Sequence, residues 1–415
     1  MKYLLPLWDD RVDPDFDFIA EEYGKPRNTD SDIFIHEALG EAPFDGILLS
    51  RSVIDKEGSV ARRVEKLGVR GHLRLDDPKW ERVVVMGDCG AFSYINEYLP
   101  PYSPEEIAGF YDSAGFDWGV APDHVIVGSI AQLDASGERI RVALSRHEQR
   151  RRQRVTLDNA ERFLKTVRCR GYAFVPFGAV QGWSPRSYCS AAQELLDMGY
   201  DHIAIGGLAR RRSSEVLQVL EAVRAGVRER REDGNVHVHV FGVGRLDLVS
   251  AMARLGVESF DSASAYRAAW VDDKKNYVTP WGWFPAVRVP QSSLRLMRYK
   301  SGEVGGLATL EQRCLEAIRG VDAGEVPLAR VLNLLEKYDG RFVRNGGTVW
   351  RFRDGYAELL ERRPWGSCDC RVCKELGVEV AIFRGTNRNR RRGFHNTWVF
   401  YGELKRQLSG GAREA

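Results

Sequence analysis

The stretch RVVVMGDCGAF, residues 82–92, decides how this chain is read. A short β-branched and apolar run breaks at Gly87, and Asp88 comes directly after the break. The same pattern recurs along the first 261 residues, in YLLPL (3–7), GILLS (46–50), FDWGVA (116–121), YAFVPFGAV (172–180), HIAIG (202–206), VHVHVFG (236–242) and VESF (257–260). Each run ends near a Gly, Asp or Gln. Between several of them lie amphipathic segments, such as SYCSAAQELLDMG (187–199) and RLDLVSAMARLG (245–256). Strands alternating with helices predict a parallel α/β fold. Eight of them, with no Gly-x-Gly-x-x-Gly fingerprint opening a helix, predict a (β/α)8 barrel rather than an open sheet.

After residue 261 the alternation stops. Residues 262–290 read as an aromatic loop (YVTPWGWFPAV), and 308–338 as two helices, ATLEQRCLEAIRG and PLARVLNLLEKYDG. The expected division is a catalytic barrel over 1–290, a helical insertion over 291–362, and a metal-binding subdomain with a closing helix over 363–415.

Composition sets the class. With 43% hydrophobic residues the 415-residue chain can bury a real core. No run reaches the ~20 apolar residues of a membrane span. The N-terminal MKYLLPLWDDRVD lacks the basic region and apolar core of a secretory signal, so a cytoplasmic location is expected. Net charge is only +3, but arginines cluster in RHEQRRRQR (146–154), RRR (210–212) and RNRRR (388–392), each of which could face phosphate.

Three of the seven cysteines, Cys368, Cys370 and Cys373, fall within WGSCDCRVCKE, residues 365–375. In a reducing compartment such clusters bind metal more often than they form disulfides. The C-x-C-x-x-C spacing suits a tight knuckle with three sulfurs pointing inward, and the only downstream histidine is His395, at the start of the helix-like HNTWVFYGELKRQL. Three thiolates and an imidazole make a closed structural zinc site with no position left for a substrate water. The basic RGTNRNRRRG (384–393) is then an arm slung between ligands.

Chemistry in such barrels sits at the C-terminal ends of the strands. At the ends of the runs stand Asp88 with Phe92, then Asp123, Gln181 with Gly182, the pair Gly206–Gly207, Phe241, and Asp261. Together these can grip a flat polar ring. Aromatics stack on its faces, Asp and Gln read its edges, and glycines let backbone amides approach. The remaining carboxylates are free for proton transfer or nucleophilic attack.

These residues resemble the tRNA-guanine transglycosylase family, zinc-bearing (β/α)8 enzymes that exchange a guanine in a polynucleotide for a 7-deazaguanine. GDCGAF (87–92) is similar to the family's Asp-Ser-Gly-Gly-aromatic motif, GAVQG (178–182) to its Val-Gln-Gly, and IGGLA (205–209) to its Gly-Gly-Leu-Ala. FGVG (241–244), SFDSASAYR (259–267) and the CDCRVC…His set come next, in the family's order. The resemblance implies that Asp261 is the nucleophile at the sugar C1′, giving a covalent glycosyl-enzyme, and that Asp88 is the acid/base. It implies that Asp123, Gln181 and the Gly206–Gly207–Leu208 backbone read the base, with Phe92 and Phe241 sandwiching it.

The chain departs from the family after the nucleophile. The segment that helps hold tRNA is replaced by SASAYRAAW, which keeps only Arg267, and no RNA-binding domain is appended. That resembles the family's bacterial DNA-modifying branch, which implies exchange of guanine in DNA for preQ0. In that reading Arg267, Arg390, Arg391 and Arg392 contact the nucleic acid, and a helper protein that opens the DNA is left open. The alternatives are action on tRNA, or a non-catalytic nucleic-acid-binding barrel; two facing carboxylates beside phosphates argue against the latter.

Overall fold

The computed structural model describes the chain apart from residues 8, 134–135, 232–233, 293–305, 342–351 and 411–415. The chain falls into two compact units that interleave in sequence, rather than into the three consecutive segments expected. One comprises Met1–Asp9, Phe44–Ala263 and the chain from Leu404; the other comprises Asp10–Pro43 and Ser264–Glu403.

The first unit is the barrel. Its strands are β1 (Lys2–Pro6), β2 (Gly46–Ser50), β3 (Val84–Asp88), β4 (Trp118–Val120), β5 (Val175–Val180), β6 (His202–Ile205), β7 (His237–Val240) and β8 (Val257–Asp261). Every neighbour is parallel, and β1 closes the ring by pairing with both β2 and β8. Because side chains alternate along a strand, every second residue points inward. Leu4, Leu48, Met86, Val120, Phe177, Ala179 and Ala204 thereby pack as a filled interior. Each large apolar side chain buried there stabilises the fold by roughly 1.5–3 kcal/mol.

The outer helices start where the chain supplies caps. Ser184 accepts from the Ser187 amide and Pro185 takes the first turn of the helix Pro185–Asp197, whose inner face buries Tyr188, Ala191, Ala192, Leu195 and Leu196. Between β4 and the helix Arg146–Arg170 an antiparallel hairpin intervenes, Ser129–Leu133 with Arg139–Ala143. The run pattern of the sequence does not announce it.

In the second unit the two expected helices form as Leu307–Asp322 and Leu328–Asp339. The segment expected to be an aromatic loop is instead a helix, Ser264–Val271, followed by a hairpin, Tyr277–Thr279 with Gly282–Phe284. Trp281 and Trp283 stand exposed on that hairpin.

A larger correction concerns residues 384–393. They are not an arm. A helix runs from Thr386 to Gly410, so His395 lies well inside it rather than at its start. Arginine is a good helix former, and this face of the helix is inside the unit. Arg388, Arg391 and Arg392 are buried. Arg392 donates to the carbonyls of Asn276, Val380, Ile382 and Ala269 and to Asn389. Arg391 donates to the Asp13 carbonyl at 2.8 Å, while Arg390 bonds the Arg11 carbonyl and lies 3.4 Å from Asp10. Arg388 pairs with Glu21 and Glu379. A guanidinium has five N–H donors and is costly to bury unpaired; backbone carbonyls and carboxylates take donors of Arg388 and Arg392, whereas Arg391 Nε has no partner among the described residues. Arg391 and Arg392 are therefore turned into the unit rather than toward a phosphate, while Arg390, 29% exposed, is tied to Arg11 and Asp10.

Candidate active site

The strand ends of the barrel enclose one pocket, lined among others by Asp88, Phe92, Asp123, Gln181, Gly206–Gly207, Phe241 and Asp261. All of these are residues that the sequence places at run ends. Leu208, expected to read the base through its backbone, has a fully buried side chain, and Ala209 also lines the pocket. Arg267 is exposed and lies in the other unit.

One side of the pocket is a preformed hydrogen-bonding edge. Gln181 Nε2 donates to Asp123 Oδ2 at 2.6 Å, and Gln181 Oε1 accepts the Ile126 amide at 3.2 Å. Cys89 Sγ lies 3.4 Å from Asp123 Oδ1 and 2.7 Å from the Tyr94 hydroxyl, which itself donates to the Asp123 carbonyl. Burial raises the Asp123 carboxyl, while the bonds from Gln181 and Cys89 pull the other way. The glycine pair is required by space. A Cβ on Gly206 would meet Gln181 Nε2 at 2.2 Å, and Gly207 has φ +75° with the Ile126 carbonyl 2.8 Å from where its Cβ would sit.

The carboxylates of Asp88 and Asp261 differ in setting. Asp88, opposite Ser50 across β2 and β3, accepts from Ser50 and the Gly90 amide, but its Oδ1 is buried with no partner among the described residues. Burial above all, then the charges of Asp123 and Asp261, push it up to about 6 against the Ser50 hydrogen bond. It can hold or release a proton near neutrality. Asp261 is held instead: Oδ1 accepts the Gly242 amide at 3.0 Å and faces His239 Nε2 at 3.3 Å. Phe92 stands half-exposed in the turn after β3, and Phe241 packs edge-on against His239 at 4.8 Å between centroids.

Four further residues of the site, Ser50, Cys89, Tyr94 and His239, are not singled out by the sequence. The alternation in VHVHV is a usable sign, since it sends His237 and His239 to the same inward face.

Asp88 offers a stability test. A carboxyl whose folded pKa lies above its unfolded value is stabilising while protonated. That contribution is full below about pH 4 and is lost as pH rises through about 6. Asp88→Asn should match wild type near pH 4 and be more stable at pH 8 by about 1–3 kcal/mol, read as a higher Tm. An Asn variant equally stable at both pH values would contradict the buried, raised carboxyl.

In the second unit, Cys368, Cys370, Cys373 and His395 offer four ligand atoms all within 4.8 Å of one another. His395 Nδ1 lies 3.6, 3.4 and 3.2 Å from the three sulfurs in that order. A tetrahedral ion with metal–sulfur bonds of ~2.3 Å and a metal–nitrogen bond of ~2.0 Å needs about 3.6 Å, so the donors fit a metal ion. The Val278 carbonyl, 2.8 Å from His395 Nε2, takes the other ring proton and leaves Nδ1 as the ligand atom. Tyr277 stacks on the imidazole at 4.5 Å.

Comparison with known proteins agrees with the geometry. A family model described as Queuine tRNA-ribosyltransferase matches residues 130–302. The DNA-guanine transglycosylase of Salmonella montevideo is 35% identical over 424 aligned positions, covering 99% of this chain and 98% of that protein. The chain belongs to the guanine transglycosylase family. A more distant relative, the tRNA-guanine(15) transglycosylase of Thermococcus kodakarensis, is 24% identical over 79% of this chain and 52% of its own length. As a member of this transglycosylase family the chain is an enzyme, a pentosyltransferase, and among its described residues no helix is long and apolar enough to cross a membrane.

Proposed function

We propose that this transglycosylase exchanges guanine in DNA for a 7-deazaguanine such as preQ0. The observation that carries the choice of polymer is the end-to-end likeness to a DNA-guanine transglycosylase, set against a partial, weaker likeness to a tRNA enzyme. Asp123 accepts from the N–H edge of the base, Gln181 and the Gly207 amide donate to its carbonyl, and Phe92 and Phe241 cover its faces. Asp261 attacks C1′ with Oδ2, because Oδ1 is already engaged. As the C1′–O bond forms, the C1′–N9 bond breaks and Asp88 delivers a proton to the departing guanine. The incoming base then gives its N9 proton to Asp88 and displaces Asp261 from C1′. One carboxylate thus acts as nucleophile and the other as acid and base, as in retaining glycosidases. The target nucleotide must leave the stack to reach the pocket.

We assign zinc to the Cys368–Cys370–Cys373–His395 cluster, since three thiolates and an imidazole at tetrahedral spacing are the donor set that ion prefers. It would hold the knuckle to the helix Thr386–Gly410 and takes no part in exchange.

With Arg391 and Arg392 internal and Arg390 tied to Arg11 and Asp10, phosphate is met elsewhere in this reading. Exposed cations come after successive barrel strands on the pocket side: Arg146 and Arg150 after β4, Arg186 after β5, and Arg210 and Arg212 after β6. Replacing Arg146, Arg150 and Arg210 by Gln should flatten the salt dependence of DNA binding, by roughly one unit of slope per lost phosphate contact. An unchanged slope would move the phosphate contacts off this rim.

Gln181→Ala tests base reading. Loss of its paired bonds, about 1–3 kcal/mol, should raise KM for the base at least severalfold, and an unchanged KM would place base binding outside this pocket. For the function itself, labelled guanine or preQ0 is offered with DNA and with tRNA in parallel. Label entering DNA is expected; label entering tRNA alone would overturn the polymer assignment and leave base exchange standing.

A further inference from the structure

Inside the barrel a line of polar side chains reaches from the nucleophile's carboxylate to an exposed one. Asp261 Oδ1 lies 3.3 Å from His239 Nε2, and His239 Nδ1 lies 2.9 Å from Ser259 Oγ. Ser259 Oγ lies 2.7 Å from His237 Nε2, and His237 Nδ1 lies 3.1 Å from Glu258 Oε2. His239 and Ser259 are fully buried among Phe177, Phe241 and the barrel wall, so no solvent can rescue a misdirected donor there.

Counting hydrogens decides the direction of the line. Its four contacts each need one hydrogen between two acceptors. A neutral imidazole carries one ring proton and a serine one hydroxyl proton, so if both rings are neutral the three side chains supply one hydrogen too few. His237 is neutral at pH 7, because burial, with His202, His239, Lys2 and the N-terminal amine as further causes, lowers it to about 3. With both rings neutral, one contact goes without. If it were the one at Asp261, a bare imidazole nitrogen would face a buried carboxylate, which has no water to turn to. If it is the one at Glu258, the cost is small, since that side chain is 53% exposed and hydrates instead. A gap on either side of Ser259 would set two buried lone pairs against each other at 2.7–2.9 Å, so the hydrogens all point one way: His237 Nε2–H to Ser259, Ser259 Oγ–H to His239 Nδ1, and His239 Nε2–H to Asp261.

We propose that His239 is a positioning residue for base exchange, fixed by Ser259 as its Nε2–H tautomer so that it and the Gly242 amide hold Asp261 Oδ1 and leave Oδ2 as the attacking oxygen. This rests on the reading of Asp261 as nucleophile. Without the His239 donor, the carboxylate keeps one hydrogen bond of two and can rotate about its χ2, presenting either oxygen or neither to C1′. Near-attack geometry is sensitive to such misplacement.

Two measurements test it on the full-length enzyme. Nitrogen-15 NMR of histidine-labelled wild-type protein at pH 7, assigned by loss of one signal in a His239 variant, should show the proton on Nε2 of His239. A proton on Nδ1 would overturn the proposal, and this arm is independent of whether Asp261 is the nucleophile. In kinetics, His239→Phe keeps the ring's packing but removes the donor, and should lower kcat about 100-fold with KM for guanine within about twofold of wild type. His239→Gln restores an N–H at the same reach and should recover kcat to within about tenfold. A Phe variant within threefold of wild type, or Phe and Gln variants equally impaired, would overturn the positioning role. If Asp261→Asn instead retained exchange, the nucleophile reading would fail while the tautomer result stood.

Discussion

Asp261→Asn should lose guanine exchange by at least a thousandfold while Tm and bound metal stay as in wild type. The amide keeps the size and can still accept the Gly242 amide at the position of Oδ1. What it lacks is the negative charge that bonds to C1′ and stabilises the developing oxocarbenium. Removing a nucleophile that acts in concert with an acid/base typically costs most of the chemical rate, leaving what binding alone provides. Asp88→Asn should also be slow, but differently. It keeps a nucleophile, so a first half-reaction toward a good leaving group can proceed, while proton transfer with N9 cannot. An Asp261→Asn enzyme retaining a tenth of wild-type exchange would remove that residue from the nucleophile's role, with Asp88 the next candidate.

The second large effect is on stability. Cys370→Ser should abolish metal binding and lower the Tm of the unit that holds the knuckle by about 10 °C or more. Binding of a structural zinc ion contributes on the order of 10 kcal/mol to such sites. In the variant the two remaining sulfurs, 3.6 and 3.2 Å from His395 Nδ1, would be left packed around the imidazole with no ion to join them. Cys370 also caps the short helix Arg371–Leu376 by accepting the Cys373 amide at 3.3 Å, a bond serine can copy, so the loss would be the metal's rather than the cap's. One equivalent of zinc per chain in wild type and none in the variant is the expected analysis. A metal-free protein of unchanged Tm would contradict the structural assignment.

The barrel is legible in the sequence because its strands are buried on both faces and therefore read as short apolar runs, and because the residue after each run must sit on the rim. Asp88, Asp123, Gln181, Gly206 and Asp261 can be picked out that way, and the ligand spacing of Cys368, Cys370 and Cys373 can be read locally. The fate of RNRRR cannot. A run of arginines looks the same on a solvated arm as on a helix whose guanidiniums meet carbonyls at residues 11, 13 and 269 or carboxylates at 21 and 379. Most of those partners lie far away in sequence, and only the fold brings them together. The same holds for Asp10–Pro43, whose residues carry no sign that they belong with the C-terminal unit. His239 is hidden for another reason: a buried histidine on a strand reads as core until Ser259 and Asp261 are seen beside it.

The central claim, base exchange on DNA through a glycosyl ester of Asp261, is tested most directly by trapping that ester. The enzyme is mixed with a guanine-containing DNA oligonucleotide in the absence of an incoming base, denatured, and analysed by mass spectrometry before and after proteolysis. The expected product has the mass of enzyme plus oligonucleotide less guanine, is attached to the peptide containing Asp261, and is discharged when guanine or preQ0 is added before denaturation. A covalent species that forms with tRNA but with no form of DNA, or one attached at any other residue, would contradict it.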